Sequence, residues 1–176
     1  MRKYIVLLFV VLFIPAITVA IPPAPWEIEE LLGKDAPSFR LNDLNGNEVT
    51  LSAFQGKVVL INFWATWCGP CKREMPGLEE VFKRYKNQGF TVIAVSIDSE
   101  KSAILNFLKS IPLSFPILHD PKIEVSKRYK VYAYPTSFLI DRKGIIREKF
   151  IGEENWLDES RTKLIERFLN EKQSER

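Results

Sequence analysis

Hydrophobic and polar positions along the chain alternate between the periods of strands and of helices. Two largely apolar runs, at residues 58–63 and 90–98, have the length and composition of strands buried on both faces of a sheet. Between them, residues 68–87 carry apolar side chains at every third or fourth position, which predicts an amphipathic helix. The centre of the chain is therefore predicted to be a strand–helix–strand unit.

Shorter patterns flank this unit. The dipeptide Asn45-Gly46, between two short apolar stretches, is the strongest local signal for a β-hairpin. After residue 100 the pattern predicts a helix, a short strand, a short helix, a third strand, its hairpin partner and a closing amphipathic helix. These lie at residues 102–109, 117–118, 123–129, 136–140, 145–150 and 157–169. This order describes an α/β sandwich with a mixed central sheet and an N-terminal β-hairpin extension.

The first 21 residues form a separate unit. Arg2 and Lys3 precede a long apolar run, which is the pattern of an export signal. Small residues suit cleavage after Ala20, whereas the run also approaches the ~20 residues that span a bilayer. A cleaved signal peptide and an uncleaved signal anchor are both open. Either one places the rest of the chain outside the cytoplasm, in the periplasm or at the outer face of the membrane.

Length and composition indicate one globular domain with added segments. The chain has 176 residues, of which 46% are hydrophobic and 27% charged, and this excludes a disordered chain. We divide it into the export segment (1–21), a proline-rich spacer (22–35), a domain (36–170) and a polar tail (171–176). A formal net charge of +3, without a basic block, argues against nucleic acid as a partner.

Both cysteines of the chain lie in the pentapeptide Trp67-Cys68-Gly69-Pro70-Cys71, between a predicted strand and a predicted helix. Their spacing puts the two sulfurs on one helical face, close enough to bond. The helix N-terminus favours the thiolate of Cys68, and Pro70 suits the first turn. The arrangement predicts disulfide exchange, in which Cys68 attacks a substrate disulfide and Cys71 resolves the mixed disulfide.

Three other interpretations of the two cysteines are weaker. A metal site lacks ligands, because the chain has one histidine, His119, and we expect neither a metal nor another cofactor. A purely structural disulfide would close a four-residue ring and add little stability. Inert buried thiols do not suit the start of a helix beside a tryptophan. A redox-active cysteine pair is the interpretation that fits the position best.

The segment from Phe63 to Cys71 resembles the active-site sequence of the thioredoxin superfamily. Its continuation through residues 72–76, the preceding hairpin, and residues 134–141 are similar to the exported, membrane-linked TlpA/ResA-like branch. The resemblance covers about residues 36–169. It implies a thioredoxin-like three-layer sandwich.

The resemblance also implies roles for residues around the cysteines. The substrate-binding residues that it implies are Trp67, Gly69, Pro70, Tyr134 and Pro135. Pro135 matches the family's cis-proline, which would expose the backbone of Tyr134 to an extended substrate segment. Glu74 matches the branch's active-site glutamate and would accept the proton of Cys71. An alternative for Glu74 is an acid in the first helical turn, placed to complement the helix dipole.

Two positions depart from the pattern of cytoplasmic thioredoxins. Asn62 stands where they have a buried aspartate, and Ala94 where they have a lysine. Proton handling must therefore differ, and Glu74 is the only acid near the motif. The dipeptide between the cysteines carries no charge that would stabilise a thiolate further, so we expect the reducing poise of thioredoxin.

These observations predict an exported enzyme that reduces protein disulfides by dithiol–disulfide exchange. In the resembled branch, one common task is reduction of the CxxCH thiols of apocytochrome c, another is general disulfide reduction, and a membrane thiol donor supplies the electrons. Two alternatives are a thioredoxin-fold thiol peroxidase and a non-enzymatic module that binds exported unfolded chains. The peroxidase pattern Pro-x-x-x-Thr-x-x-Cys is absent, since Ile61 and Ala65 occupy its first two positions.

Overall fold

The computed structural model of the protein describes residues 31–171. The predicted export segment (1–21), most of the predicted spacer and most of the polar tail lie outside the described residues. Between residues 31 and 171, no helix is long and apolar enough to cross a membrane.

The described residues contain seven strands, which form one mixed sheet. In chain order the strands are β1 (Arg40–Asp43), β2 (Glu48–Thr50), β3 (Val58–Trp64), β4 (Phe90–Ser96), β5 (Ile117–His119), β6 (Thr136–Ile140) and β7 (Ile146–Ile151). Their order across the sheet is β2-β1-β5-β4-β3-β6-β7. Strand β3 pairs in parallel with β4 and antiparallel with β6. The prediction of a mixed sheet is confirmed.

Four α-helices pack on this sheet within the described range. They are α1 (Gly69–Tyr85), α2 (Lys101–Ser110), α3 (Glu124–Arg128) and α4 (Glu159–Asn170). Every residue of β3 and β4 is buried, because successive side chains of each strand face opposite sides of the sheet and both sides are covered. One core cluster joins the sheet to α1, α2 and α4, and a second joins it to α3. These layers confirm the predicted three-layer sandwich.

The N-terminal β-hairpin is also confirmed, and it extends the sheet. Strands β1 and β2 pair antiparallel around the Asn45-Gly46 turn. Gly46 has a φ of 90°, a backbone region that favours glycine. The Asp43 carboxylate accepts hydrogen bonds of 2.8 Å from the main-chain N–H groups of Asn45 and Asn47. Strand β1 in turn pairs antiparallel with β5.

Candidate active site

The two cysteines lie where β3 passes into α1. Cys68 is the N-cap residue of α1 and Cys71 lies in its first turn. A disulfide joins their sulfurs, with 5.3 Å between the Cα atoms. The main-chain N–H of Cys71 donates a hydrogen bond of 3.2 Å to Sγ of Cys68. Cys71 is fully buried, whereas Cys68 is 6% exposed. The helix N-terminus therefore supports the more accessible sulfur, where a thiolate would form after reduction.

A buried aspartate, which the sequence analysis missed, holds the loop between β3 and Cys68. The Asp98 carboxylate accepts hydrogen bonds from the main-chain N–H of Thr66 at 3.0 Å and from its hydroxyl at 2.6 Å. It also accepts one from the hydroxyl of Ser96 at 2.7 Å. Nε2 of His119 donates to the Asp98 carbonyl at 2.6 Å. The sequence did contain a signal for Asp98, because Ser96 and Asp98 are polar residues at the end of a largely apolar run. Strand β4 is parallel to β3, so its end lies beside the end of β3 that leads to Cys68.

The residue directly before Cys68, Trp67, forms an aromatic pair with Tyr134. Trp67, next to Cys68, is 66% exposed. Its ring meets that of the half-buried Tyr134 edge to face, with 6.1 Å between centroids. Burial, the larger influence, raises the pKa of Tyr134, while a hydrogen bond with Ser126 lowers it. The structure therefore brings together Trp67 and Tyr134, two of the residues expected to bind substrate. Tyr134 also contacts Ser126 of α3.

The other residues expected to bind substrate lie at the same end of the sheet. The peptide bond before Pro135 is cis, as the family resemblance implied. Pro135 is buried and directly precedes β6, whose first residue, Thr136, pairs with Phe63 of β3. Gly69 and Pro70 are half-buried in the first turn of α1.

Glu74 is buried and accepts three hydrogen bonds from separate parts of the chain. Oε1 accepts one from Nδ2 of Asn62 at 2.7 Å. Oε2 accepts one from the main-chain N–H of Glu154 at 3.1 Å and another from Nε1 of Trp156 at 3.3 Å. Burial raises the pKa of Glu74 from 4.5 to about 7, against the lowering effect of these hydrogen bonds. A carboxyl group that gains and loses a proton near neutral pH therefore lies one turn beyond Cys71.

The alternative in which Glu74 complements the helix dipole is wrong. The first turn of α1 contains no acidic residue, and Glu74 lies in the second turn with only 4% of its surface exposed. The dipole effect is confined to the first turn and favours groups near the exposed N–H groups. Glu74 is held instead by Asn62 of β3 and by the segment between β7 and α4.

Three residues around Glu74 were not predicted from the sequence. Ser137 of β6 accepts a hydrogen bond of 2.9 Å from Nδ2 of Asn62, while Glu154 and Trp156 contact Glu74 directly. No local pattern marks these residues, because they meet only through the sheet register and the return of the chain to α1. As for metal sites, no group of three or more His, Cys, Asp or Glu side chains in residues 31–171 could hold an ion.

Comparison with known proteins identifies the family. The model of the AhpC/TSA family matches residues 32–149. The chain belongs to the AhpC/TSA family. The chain is 43% identical to thiol-disulfide oxidoreductase ResA of Bacillus cereus, over 70% of this chain and 71% of the relative. It is 44% identical to the ResA of Bacillus subtilis, over 68% of this chain and 67% of the relative.

The chain is also similar to a solved structure. The putative thiol:disulfide interchange protein DsbE of Chlorobium tepidum superposes with a TM-score of 0.75 at 37% identity, over 79% of this chain and 98% of that chain. The resemblance to the thioredoxin superfamily and its TlpA/ResA-like branch is thus confirmed. This AhpC/TSA family member is a thiol–disulfide oxidoreductase, whose redox centre is the Cys68–Cys71 pair.

Proposed function

We propose that the protein is an exported reductant of protein disulfides, in which Cys68 is the nucleophile, Cys71 the resolving cysteine and Glu74 the proton acceptor. The observation that carries the proposal is the disulfide at the start of α1 with a buried carboxyl one turn away, whose pKa is about 7. This combination supports the proposal, because it would provide a nucleophile, a resolving cysteine and an acid–base group for neutral pH on one helix.

The reaction transfers two electrons from the reduced cysteine pair to the substrate. The Cys68 thiolate attacks one sulfur of the substrate disulfide, so that a Cys68–substrate bond forms and the substrate disulfide breaks, releasing one substrate thiolate. Glu74 takes the proton of Cys71. The Cys71 thiolate then attacks Sγ of Cys68, closes the Cys68–Cys71 disulfide and releases the second substrate thiolate, and both thiolates take up protons.

The differences between the two sulfurs support this division of roles. Cys68 is the more exposed cysteine and receives the main-chain N–H of Cys71, so its thiolate is both accessible and stabilised. Cys71 is fully buried and is reachable only from within the site. Glu74 lies on the same helix three residues after Cys71, with a pKa that suits acid–base work at neutral pH.

Trp67 and Tyr134 are proposed to bind the polypeptide around the substrate disulfide. Trp67 directly precedes Cys68, its ring meets that of Tyr134, and the cis peptide bond follows Tyr134 directly. Aromatic side chains are common anchors in protein recognition, because they bury a large apolar area at little entropic cost. Disulfide-containing exported proteins are the proposed substrates, and an apocytochrome c whose CxxCH cysteines have been oxidised is one candidate.

We assign the remaining segments by the same proposal. Residues 1–21 would export the domain of residues 36–170 or anchor it, and residues 22–35 would separate it from the membrane. A membrane thiol donor would return two electrons to the Cys68–Cys71 disulfide after each turnover. The mass of the mature N-terminus distinguishes a cleaved signal from an anchor.

A trapping experiment tests the roles of the two cysteines. Cys71→Ser should accumulate a stable mixed disulfide between Cys68 and an exported protein, because no resolving thiol remains. The matched variant Cys68→Ser should form no such adduct. Adducts through Cys71 alone would reverse the assignment.

The same variants separate the alternative functions. Reduced wild-type protein should consume hydrogen peroxide no faster than Cys68→Ser. A much higher rate for the wild type would favour a thiol peroxidase. If the double serine variant still protected unfolded exported chains, a binding module would be favoured. If the protein is a reductant, the reduction potential of its Cys68–Cys71 pair should lie near −270 mV, about 90 mV below that of protein disulfide isomerase.

A further inference from the structure

Asn62 occupies an unusual position for an amide. It lies on β3, on the side of the sheet that packs against α1, and it is fully buried. Residues two positions away on the same side, Leu60 and Trp64, belong to the apolar core cluster. Packing alone would therefore be satisfied by an apolar side chain at position 62.

The Asn62 side chain is fixed by contacts with two different elements. Its Nδ2 donates to Oε1 of Glu74 on α1 at 2.7 Å and to the hydroxyl of Ser137 on β6 at 2.9 Å. Ser137 is also the residue paired with Asn62 in the sheet register, so its position is set by the backbone. Both N–H groups of the amide are thus directed to acceptors.

The amide oxygen of Asn62 is left without a partner among the described residues in this orientation. Oδ1 of Asn62 is buried and accepts no hydrogen bond from any residue in the described range. An unpaired buried amide oxygen is destabilising. In this orientation the amide nitrogen is paired with Glu74 and Ser137, while the amide oxygen has no partner among residues 31–171.

We infer that Asn62, anchored by Ser137, is a positioning residue that holds the carboxyl group of Glu74 and stabilises its ionised form during disulfide exchange. The inference rests on the proposed role of Glu74 as proton acceptor. A hydrogen bond from a neutral donor to a carboxylate is charge-assisted and stronger than one to the neutral acid. Asn62 therefore favours the state of Glu74 that can take a proton from Cys71.

The other charged groups around Glu74 have their own partners. Glu153, whose negative charge raises the pKa of Glu74, is exposed and forms an ion pair with Arg73. The Glu154 carboxylate pairs with Arg161 of α4. The oxidised cysteines do not titrate. Asn62 supplies the shortest hydrogen bond to the Glu74 carboxyl and is itself uncharged, so it adjusts this group without adding a second titration.

The decisive measurement is the titration of Glu74 in the oxidised protein, followed by NMR of 13C-labelled glutamate carboxyl groups; the resonance missing from Glu74→Gln identifies Glu74. Asn62→Leu removes the donor and keeps a side chain of similar size. The titration midpoint of Glu74 should rise by about one pH unit, which is tenfold in proton affinity. Thr91→Val is the control, because Thr91 is a buried polar residue on β4 whose hydroxyl donates to a main-chain carbonyl. The Glu74 midpoint in Thr91→Val should equal that in the wild type.

Asn62→Asp provides a contrasting change at the same place. Its carboxyl group would lie within hydrogen-bond distance of Glu74, and two such groups share one proton. The upper titration step should then rise by more than in Asn62→Leu. An Asn62→Leu midpoint equal to that of the wild type would overturn the inference.

Two further comparisons keep the inference separate from the proposed function. If Glu74→Gln leaves the pH profile of disulfide exchange unchanged, the role of Glu74 is wrong. If Glu74→Gln changes that profile but Asn62→Leu does not move the Glu74 midpoint, only the inference about Asn62 fails. Should Asn62→Leu not fold, Ser137→Ala replaces it, since loss of the anchor should raise the midpoint by a smaller amount. No rise in Ser137→Ala would then reject the inference.

Discussion

Nε1 of Trp156 donates a hydrogen bond to Oε2 of Glu74 over 3.3 Å, across 82 positions of the sequence. Trp156 lies between β7 and α4, and the neighbouring main-chain N–H of Glu154 donates to the same oxygen. The Trp156 ring also packs edge to face on Phe150, with 5.3 Å between centroids. A segment near the end of the domain therefore completes the surroundings of a carboxyl group on the active-site helix.

Trp156→Phe separates the hydrogen bond from the packing of the ring. The variant keeps an aromatic ring against Phe150 and removes the N–H donor to Glu74. Because this donor favours the carboxylate, we expect the pKa of Glu74 to rise by about half a unit to one unit. NMR titration of the oxidised protein measures the change. A lower or unaltered pKa would show that the indole N–H does not stabilise the carboxylate.

Glu74→Gln should alter how stability depends on pH. Burial raises the pKa of Glu74 in the folded protein to about 7, above its ordinary 4.5, so folding favours the protonated form. This stabilisation is complete below pH ~4.5 and is lost as the pH rises through 7, a change of up to ~3 kcal/mol. The glutamine variant lacks this loss. Its stability relative to the wild type should therefore increase between pH 4.5 and 8.

Urea unfolding of the oxidised proteins at several pH values checks this prediction. Glu159→Gln, at an exposed position on α4, is the matched control and should follow the wild type. Parallel pH curves for Glu74→Gln and the wild type would mean that Glu74 does not take up a proton on folding in this range.

Asp98→Asn should weaken the hydrogen bonds that hold the loop between β3 and Cys68. The amide nitrogen replaces one of the two oxygens that accept from Thr66 and Ser96. Because this nitrogen cannot accept a hydrogen bond, a buried donor of Thr66 or Ser96 loses its partner. We expect a loss of ~1–3 kcal/mol in the free energy of unfolding. Disulfide exchange should slow as well, because the loop carrying Thr66 leads directly to Cys68.

Chemical unfolding and exchange kinetics measure these two effects. Asp158→Asn, at an exposed position before α4, should change neither by a comparable amount. Equal stability of Asp98→Asn and the wild type would mean that the Asp98 hydrogen bonds do not hold the loop.

Trp67→Ala should distinguish protein substrates from small ones. Trp67 is 66% exposed, so we expect stability to change by less than ~0.5 kcal/mol. Reduction of a protein disulfide should slow about tenfold, since a binding anchor is lost. Reduction of hydroxyethyl disulfide, which offers no polypeptide segment, should be nearly unchanged. An equal slowing for both substrates would place the effect of Trp67 on the cysteines rather than on binding.

The amino-acid sequence alone determined the elements of the fold and the redox pair. Strands β3 and β4 are apolar almost throughout and α1 has a helical period, so each element is encoded within its own segment. The Asn45-Gly46 turn is equally local. The spacing of Cys68 and Cys71 places both sulfurs on one face of any helix that starts there, and the disulfide follows.

Only the tertiary structure decided the surroundings of Glu74. Its partners Asn62 and Trp156 are 12 and 82 positions away, and Ser137 lies 75 positions from Asn62. Such contacts depend on sheet register and on how the helices pack, and periodicity within one segment carries no information about them. The burial produced by this packing, rather than the local sequence, shifts the Glu74 pKa to about 7.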